Sequence, residues 1–216
     1  MADRPVPASL LQAGLVDQQG KPFTLGSLRG RTVLLLPFMT LCTEMCPLDT
    51  ANLSQVRHAL GRSGVANQVA IVELSIDPGR DTPQRLAAYA QLTGVRWTLA
   101  TGPPATIGAF EHFFGWLAQK IPEPSPPAID YLTHQPLTYD ILHSDGFAVL
   151  DGSGHERFAT GAPASFHGTL PRPLYRFLDP LGRQNLAKPA ANAWTPAEAV
   201  GVLGWVLRRP LPAPTT

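Results

Sequence analysis

The sequence predicts an α/β domain, and two observations predict it. Thr32–Phe38 and Val69–Ile76 are short, continuously apolar runs, as expected of strands covered on both faces. Each leads through a loop into a helical segment opened by a proline, Pro47 in one case and Pro83 in the other. At 216 residues and 44% apolar content the chain can bury one core. Seventeen basic and 16 acidic residues leave a formal charge of +1, so no global field would gather nucleic acid or an anionic surface. The longest apolar run, Thr32–Phe38, is too short to cross a bilayer, and Met1–Pro5 lacks the apolar segment of a signal peptide. A soluble chain is expected, either cytoplasmic or exported and lacking its signal or anchor.

The elements follow in order. Leu15-Val16-Asp17 and Pro22–Leu25 flank Gln18-Gln19-Gly20-Lys21 and predict a short hairpin. After the first buried strand comes a loop, then a helix from Pro47 to about Leu60 with Leu53, Val56 and Leu60 on one side. The second buried strand passes through Asp77–Pro83 into a helix carrying Leu86, Tyr89, Ala90 and Leu92. Trp97-Thr98-Leu99 predicts a short strand, Thr106–Phe114 a short helix, and the proline-rich Ile121–Pro127 a loop. Tyr139–Leu142 and Phe147–Leu150 predict strands, the second paired through Asp151-Gly152-Ser153-Gly154 with His155–Phe158. Ala159–Ala193 is rich in proline and glycine and predicts irregular structure lying on the domain. Thr195-Pro196-Ala197-Glu198 is a capping box that opens a final helix. The domain boundary expected from this pattern separates residues 1–160 from an extension, 161–216, packed on the same domain. Trp194 and Trp205 give the last helix an apolar side, expected to cover the core.

Chemistry concentrates at the two cysteines, Cys42 and Cys46. Random placement would put a pair four apart in roughly 1% of cases, so the spacing carries information. Two small buried hydrophobes are the bland reading, since free cysteine is often buried. Position argues against it: the pair lies between a buried strand and a proline-opened helix, where free backbone N–H groups stabilise a thiolate. Cys46, next to Pro47, is expected to benefit most. Four-residue spacing across such a turn allows a redox disulfide. As thiolates, the pair supplies two soft ligands suited to Cu(I) or zinc, although two sulfurs do not complete a closed zinc site.

Three ordered segments carry a family resemblance over about residues 12–160. Phe38–Pro47 contains Cys42-Thr43-Glu44-Met45-Cys46-Pro47; Glu73–Pro83 contains Ser75-Ile76-Asp77-Pro78-Gly79-Arg80-Asp81-Thr82-Pro83; Tyr139–Ser144 contains His143 and is followed by Leu150–Gly154. Together these resemble the CxxxCP, SxDPxRDTP and histidine segments of the Sco/SenC family of copper-binding, thioredoxin-like proteins. The resemblance implies a thioredoxin-like fold; the N-terminal hairpin and the irregular C-terminal extension ending in a helix are read from the residues, and the tail beyond about 160 lies outside the resemblance. The resemblance also implies that Cys42, Cys46 and His143 bind a copper ion, Cu(I) or Cu(II), and that the protein serves assembly of the dinuclear copper centre of cytochrome c oxidase. The implied partners are the copper-bearing oxidase subunit or another copper protein, and a thiol reductase; the implied location is extracytoplasmic, with an anchor in the full-length protein. The chain departs from the pattern at Thr43-Glu44, where Pro-Asp is frequent, at Met39, where tyrosine is frequent, and across residues 123–138.

Other readings use the same residues. Cys42 and Cys46 could exchange electrons with a partner as a thiol-disulfide oxidoreductase, copper being incidental. A peroxiredoxin would need threonine and proline three and seven residues before its cysteine; Thr43 meets the first requirement and Met39 fails the second. A binding module that uses the extension to grip another subunit is compatible with the copper reading. Asp77, Asp81 and Thr82 are accounted for by turn formation and capping. His134 precedes His143 in the same loop region and is a lesser candidate. His58, His112, His155 and His167 lie outside any constellation, and Met39 and Met45 are thioethers that more often pack than ligate.

Overall fold

A computed structural model describes residues 3–214; Met1, Ala2, Thr215 and Thr216, which include the very ends of both expected chain segments, lie outside the described residues. The chain opens with β1 (Arg4–Pro5) and α1 (Ala8–Leu11), then forms the expected hairpin from β2 (Leu15–Asp17) and β3 (Pro22–Phe23). Strand β4 (Thr32–Phe38) leads to α2 (Cys46–Arg62), and β5 (Val69–Ser75) leads to α3 (Pro83–Thr93). Next come β6 (Thr98–Thr101), α4 (Pro104–Phe114), β7 (Ala118–Ile121), β8 (Asp140–His143), β9 (Phe147–Leu150) and β10 (His155–Thr160). Three helices finish the chain: α5 (Arg172–Tyr175), α6 (Pro180–Ala187) and α7 (Pro196–Val206).

Eight strands form one sheet in the order β1-β10-β9-β4-β5-β6-β2-β3. Its centre is parallel, with β4 paired to β5 from Thr32↔Val69 through Phe38↔Ser75, and β5 paired to β6. Strand β9 runs antiparallel to β4 and continues into the β9–β10 hairpin. The unbroken apolar run of β4 follows from burial on both sides. Leu34 and Leu36 join a core beneath α2 and α7, whereas Val33 and Leu35 join a core with α1 and α4 on the opposite face. At roughly 25 cal/mol per Å² of apolar surface, layers of this kind supply the main driving force. A third apolar cluster, containing Phe38, Met39, Cys42, Cys46, Leu86, Tyr89 and Ile141, sits where β4 and β5 end.

Helix starts follow local chemistry. The Thr82 hydroxyl accepts from the Arg85 N–H and the Thr195 hydroxyl from the Glu198 N–H, each before a proline at the first helical position. Gly94 ends α3 in the left-handed region at φ 78°, which glycine adopts without a Cβ penalty.

Two regions depart from the expectation. The strand predicted over Tyr139–Leu142 is present as β8, but its partner β7 has no counterpart in the sequence reading, and the two form a separate two-stranded ribbon, Ala118↔His143 through Ile121↔Asp140. The supposedly irregular stretch 159–193 contains α5 and α6, the latter capped by Asp179, whose Oδ1 accepts from the Gly182 N–H at 2.7 Å. High proline content did not preclude these helices because Pro180 occupies a first-turn position, where no amide hydrogen is needed. Helix α7 covers the core as expected: Ala199, Val200 and Leu203 are buried while Trp205 stays largely exposed. Among the described residues no helix is long and apolar enough to cross a membrane.

Candidate metal centre

The loop from Met39 to Met45 joins β4 to α2, and Cys46 is the first residue of that helix. Both cysteines are buried and stand as free thiols. The Cys46 N–H, one of the unpaired amides at the helix start, donates to the Cys42 sulfur at 3.3 Å. His143 reaches the same place from the end of β8. One donor atom from each of Cys42, Cys46 and His143 lies within 4.8 Å of the others, the only such cluster of three among the described residues.

The histidine is oriented for ligation. Its Nδ1 lies 2.8 Å from the Ser144 carbonyl oxygen, which can only accept, so Nδ1 carries the proton and the lone pair of the neutral ring is on Nε2. Two thiolates and an imidazole at metal bond lengths of ~2.0–2.3 Å would stand about 4 Å apart in a trigonal plane. The observed span requires only a small contraction, and the donors are soft or borderline, which fits copper or zinc and excludes magnesium and calcium. A cleft of about 270 Å³, lined by Leu41, Glu44, Ile121, Leu142 and Asp145 among others, opens beside Cys42 and His143.

The two sulfurs differ electrostatically, against the sequence expectation that Cys46 would be the better thiolate. Cys42 is held well below the usual thiol range by hydrogen bonding from Cys46, which outweighs burial, with further help from His143. Cys46 is pushed well up, first by that same hydrogen bond to Cys42 and then by burial. The correction has a geometric cause: the Cys46 thiol donates to the Cys42 sulfur, and the helix-start amide of Cys46, which points at the same sulfur, adds a smaller contribution. Burial opposes charge on His143, but its hydrogen bond and attraction to Cys42 prevail and raise it to about 10. Asp145, two residues on, is raised to about 6 by burial. Both shifts have the sign of mutual stabilisation between negative charge on Cys42 and positive charge on His143.

The other candidates separate cleanly. Met39 is buried in the cluster that contains both cysteines, whereas the Met45 sulfur accepts a hydrogen bond from Asn185 at 3.2 Å. His134 is an exposed loop residue with φ 59° and is not among the three clustered donors. His58, His155 and His167 contact Arg62, Asp3 and Ser165 respectively, away from the centre. Asp77 and Asp81 contribute no metal-facing atom to the cluster and instead organise its two supporting loops through Thr40 and Tyr139. Sequence reasoning missed Asn185 and Asp145: neither belongs to a spaced motif, and the acidic residue after His143 was the only available signal.

A CxxxC pair at a strand–helix junction, with a histidine brought in from a later strand, defines a thioredoxin-like domain with a soft-metal site. The SCO1/SenC family model matches residues 12–161. The chain belongs to the SCO1/SenC family. A relative from Stutzerimonas stutzeri, named for copper binding, is 30% identical over 170 residues, covering 78% of this chain and 76% of its own. The SCO1 protein homolog of Bacillus subtilis is 29% identical over 147 residues, covering 65% and 71%. The structure of Bradyrhizobium japonicum ScoI with copper bound superposes with a TM-score of 0.58 at 26% identity, covering 83% of this chain and 98% of that one. Copper-bound yeast Sco1, at 19% identity and TM-score 0.55, shares the fold.

Proposed function

We propose that this protein carries one copper ion on Cys42, Cys46 and His143 and delivers it during assembly of the dinuclear copper centre of cytochrome c oxidase. The observation that carries the reading is the convergence of those three donors, and only those, within 4.8 Å among the described residues. Copper is cargo here. Family membership and the copper-bound Bradyrhizobium relative support copper over zinc, and three donors leave a coordination position through which an acceptor's ligand can approach. The chain's own residues hold the imidazole tautomer through Ser144 and lower the Cys42 thiol, which eases the loss of its proton when metal arrives. The copper-bearing oxidase subunit, or another copper protein, is the acceptor, and a thiol reductase keeps the pair reduced. Delivery to such a centre places the protein on the extracytoplasmic side.

Anaerobic copper titration tests this. The reduced protein should bind close to one copper per chain and the disulfide form little, because a disulfide offers no thiolate. Equal binding by both forms would sink the assignment, as would full affinity in His143→Ala.

A second activity rests on the asymmetry of the sulfurs. Cys42 lowered beside Cys46 raised, with the Cys46 N–H 3.3 Å from the Cys42 sulfur, is the asymmetry of an attacking and a resolving cysteine, which favours thiol-disulfide exchange by the same site in its copper-free form.

A further inference from the structure

The chain beyond residue 161 lies outside the family match, yet it touches each of the three residues between Cys42 and Cys46. The Asp179 N–H donates to the Thr43 carbonyl oxygen at 3.1 Å. Gly182 packs on the same carbonyl so closely that a Cβ there would fall 2.4 Å from the oxygen and 3.1 Å from the Glu44 Cα. The Asn185 side-chain amide donates to the Met45 sulfur at 3.2 Å. Asp179 also caps α6, so one residue both starts that helix and grips the loop. Behind this line of contacts, Phe177 packs against Tyr89 and Tyr131 with ring centroids 5.4 and 4.9 Å away. Trp194 donates from its indole nitrogen to Asp49, in the first turn of α2, at 3.1 Å.

These contacts act on the one stretch of backbone that sets the separation of the two sulfurs. A loop held at three successive residues loses freedom before any ligand binds, and donors that are already placed bind with less ordering cost. The contact at Gly182 is to backbone and therefore stiff. The contact at Asn185 has a second effect, since it engages the thioether of Met45, the residue next to Cys46 in the chain.

We infer that residues 177–185 are a brace that positions the cysteine loop, with Gly182 and Asn185 as positioning residues for ligation and thiol exchange. The inference rests on the proposed role of the cysteines, but its test can be read without copper.

The full chain is equilibrated, metal-free, with reduced and oxidised glutathione. Each turnover of that exchange joins the Cys42 and Cys46 sulfurs in one disulfide and reduces one glutathione disulfide to two glutathione thiols. Gly182→Ala must displace the Thr43 carbonyl or α6, and Asn185→Leu removes the amide donor at similar volume. Both should move the thiol–disulfide equilibrium by ~3-fold or more, the lower end of couplings between contacting residues. Asn185→Gln, which keeps an amide, should restore part of the shift. Val202→Ala, which loosens the same core from α7, should leave it unchanged.

Folded Gly182→Ala and Asn185→Leu proteins with the parent's equilibrium and the parent's Cys42 alkylation rate would overturn the brace. So would an equal shift in Val202→Ala. If Gly182→Ala does not fold, Asn185→Leu decides alone. A parent chain that binds no copper, with variants that still shift the thiol equilibrium, would refute the copper reading and leave the brace standing.

Discussion

Asp81 accepts hydrogen bonds from both the backbone N–H and the hydroxyl of Thr40, at 3.2 and 2.5 Å, two residues before Cys42. The same carboxylate accepts from the Ser75 hydroxyl at 2.6 Å, at the end of β5. Its near neighbour Asp77 accepts from the Tyr139 hydroxyl at 3.0 Å, and Arg80 donates to the Tyr139 carbonyl oxygen at 2.7 Å, just ahead of the strand that ends in His143. The Asp77–Asp81 turn thus fastens both halves of the candidate metal centre without joining the three donors.

Asp81→Ala should leave the buried Thr40 and Ser75 donors unpaired and cost about 3 kcal/mol of stability, read by denaturant unfolding. Asp81→Asn, which still accepts but must also donate, should cost less. Both should weaken copper binding more than a surface substitution does.

Tyr139→Phe removes one hydroxyl from Asp77 and keeps the ring over Arg80, whose guanidinium carbon lies 3.8 Å from the ring centroid. The expected loss is about 1 kcal/mol in stability, with a few-fold drop in copper affinity measured by competition with a chelator. An unchanged affinity would show that the turn does not help place His143.

His143→Ala should raise the pKa of Cys42, because the imidazole lowers it through a hydrogen bond and its charge. The sign follows directly: a depressed thiol pKa means stability from the thiolate that is present above the unfolded pKa and lost as pH falls through the folded one. The pH profile of Cys42 alkylation, recorded in a Cys46→Ser background, should shift upward in the variant. His134→Ala should leave the profile where it is.

Glu73 is buried beneath α2 and is raised from 4.5 to about 7 by burial, against hydrogen bonds from Trp97 and Thr50. A carboxyl raised on folding contributes stability that is complete below about pH 4.5 and lost as pH rises through about 7. Glu73→Gln should therefore stabilise the protein at pH 8, by on the order of 3 kcal/mol at most, and change little at pH 4. Thermal melts at the two pH values check it; equal effects at both would exclude the mechanism.

Much of the fold was legible because its signals are local. Thr32–Phe38 and Val69–Ser75 are strands whose apolar side chains alternate between two cores, and Pro47, Pro83 and Pro196 stand in the first turns of their helices. Strand β8 was legible but its partner β7 was not, since Ala118–Ile121 has no marked apolar alternation and takes its structure from pairing with Asp140–His143. Helix α6 was hidden by composition: proline and glycine suggest irregularity when counted and a helix start when positioned.

By itself the sequence determined a thiol pair at a strand–helix junction and, through three ordered segments, the histidine that should join it. Tertiary structure decided what those residues are. It set the Cys46 thiol and amide against the Cys42 sulfur and so lowered one thiol and raised the other, it brought His143 beside them on a separate ribbon, and it laid Asp179, Gly182 and Asn185 against the loop. The physical reason is the range of each signal: apolar periodicity and capping act within a few residues, whereas hydrogen-bond partners and charge depend on which distant backbone segments packing brings together.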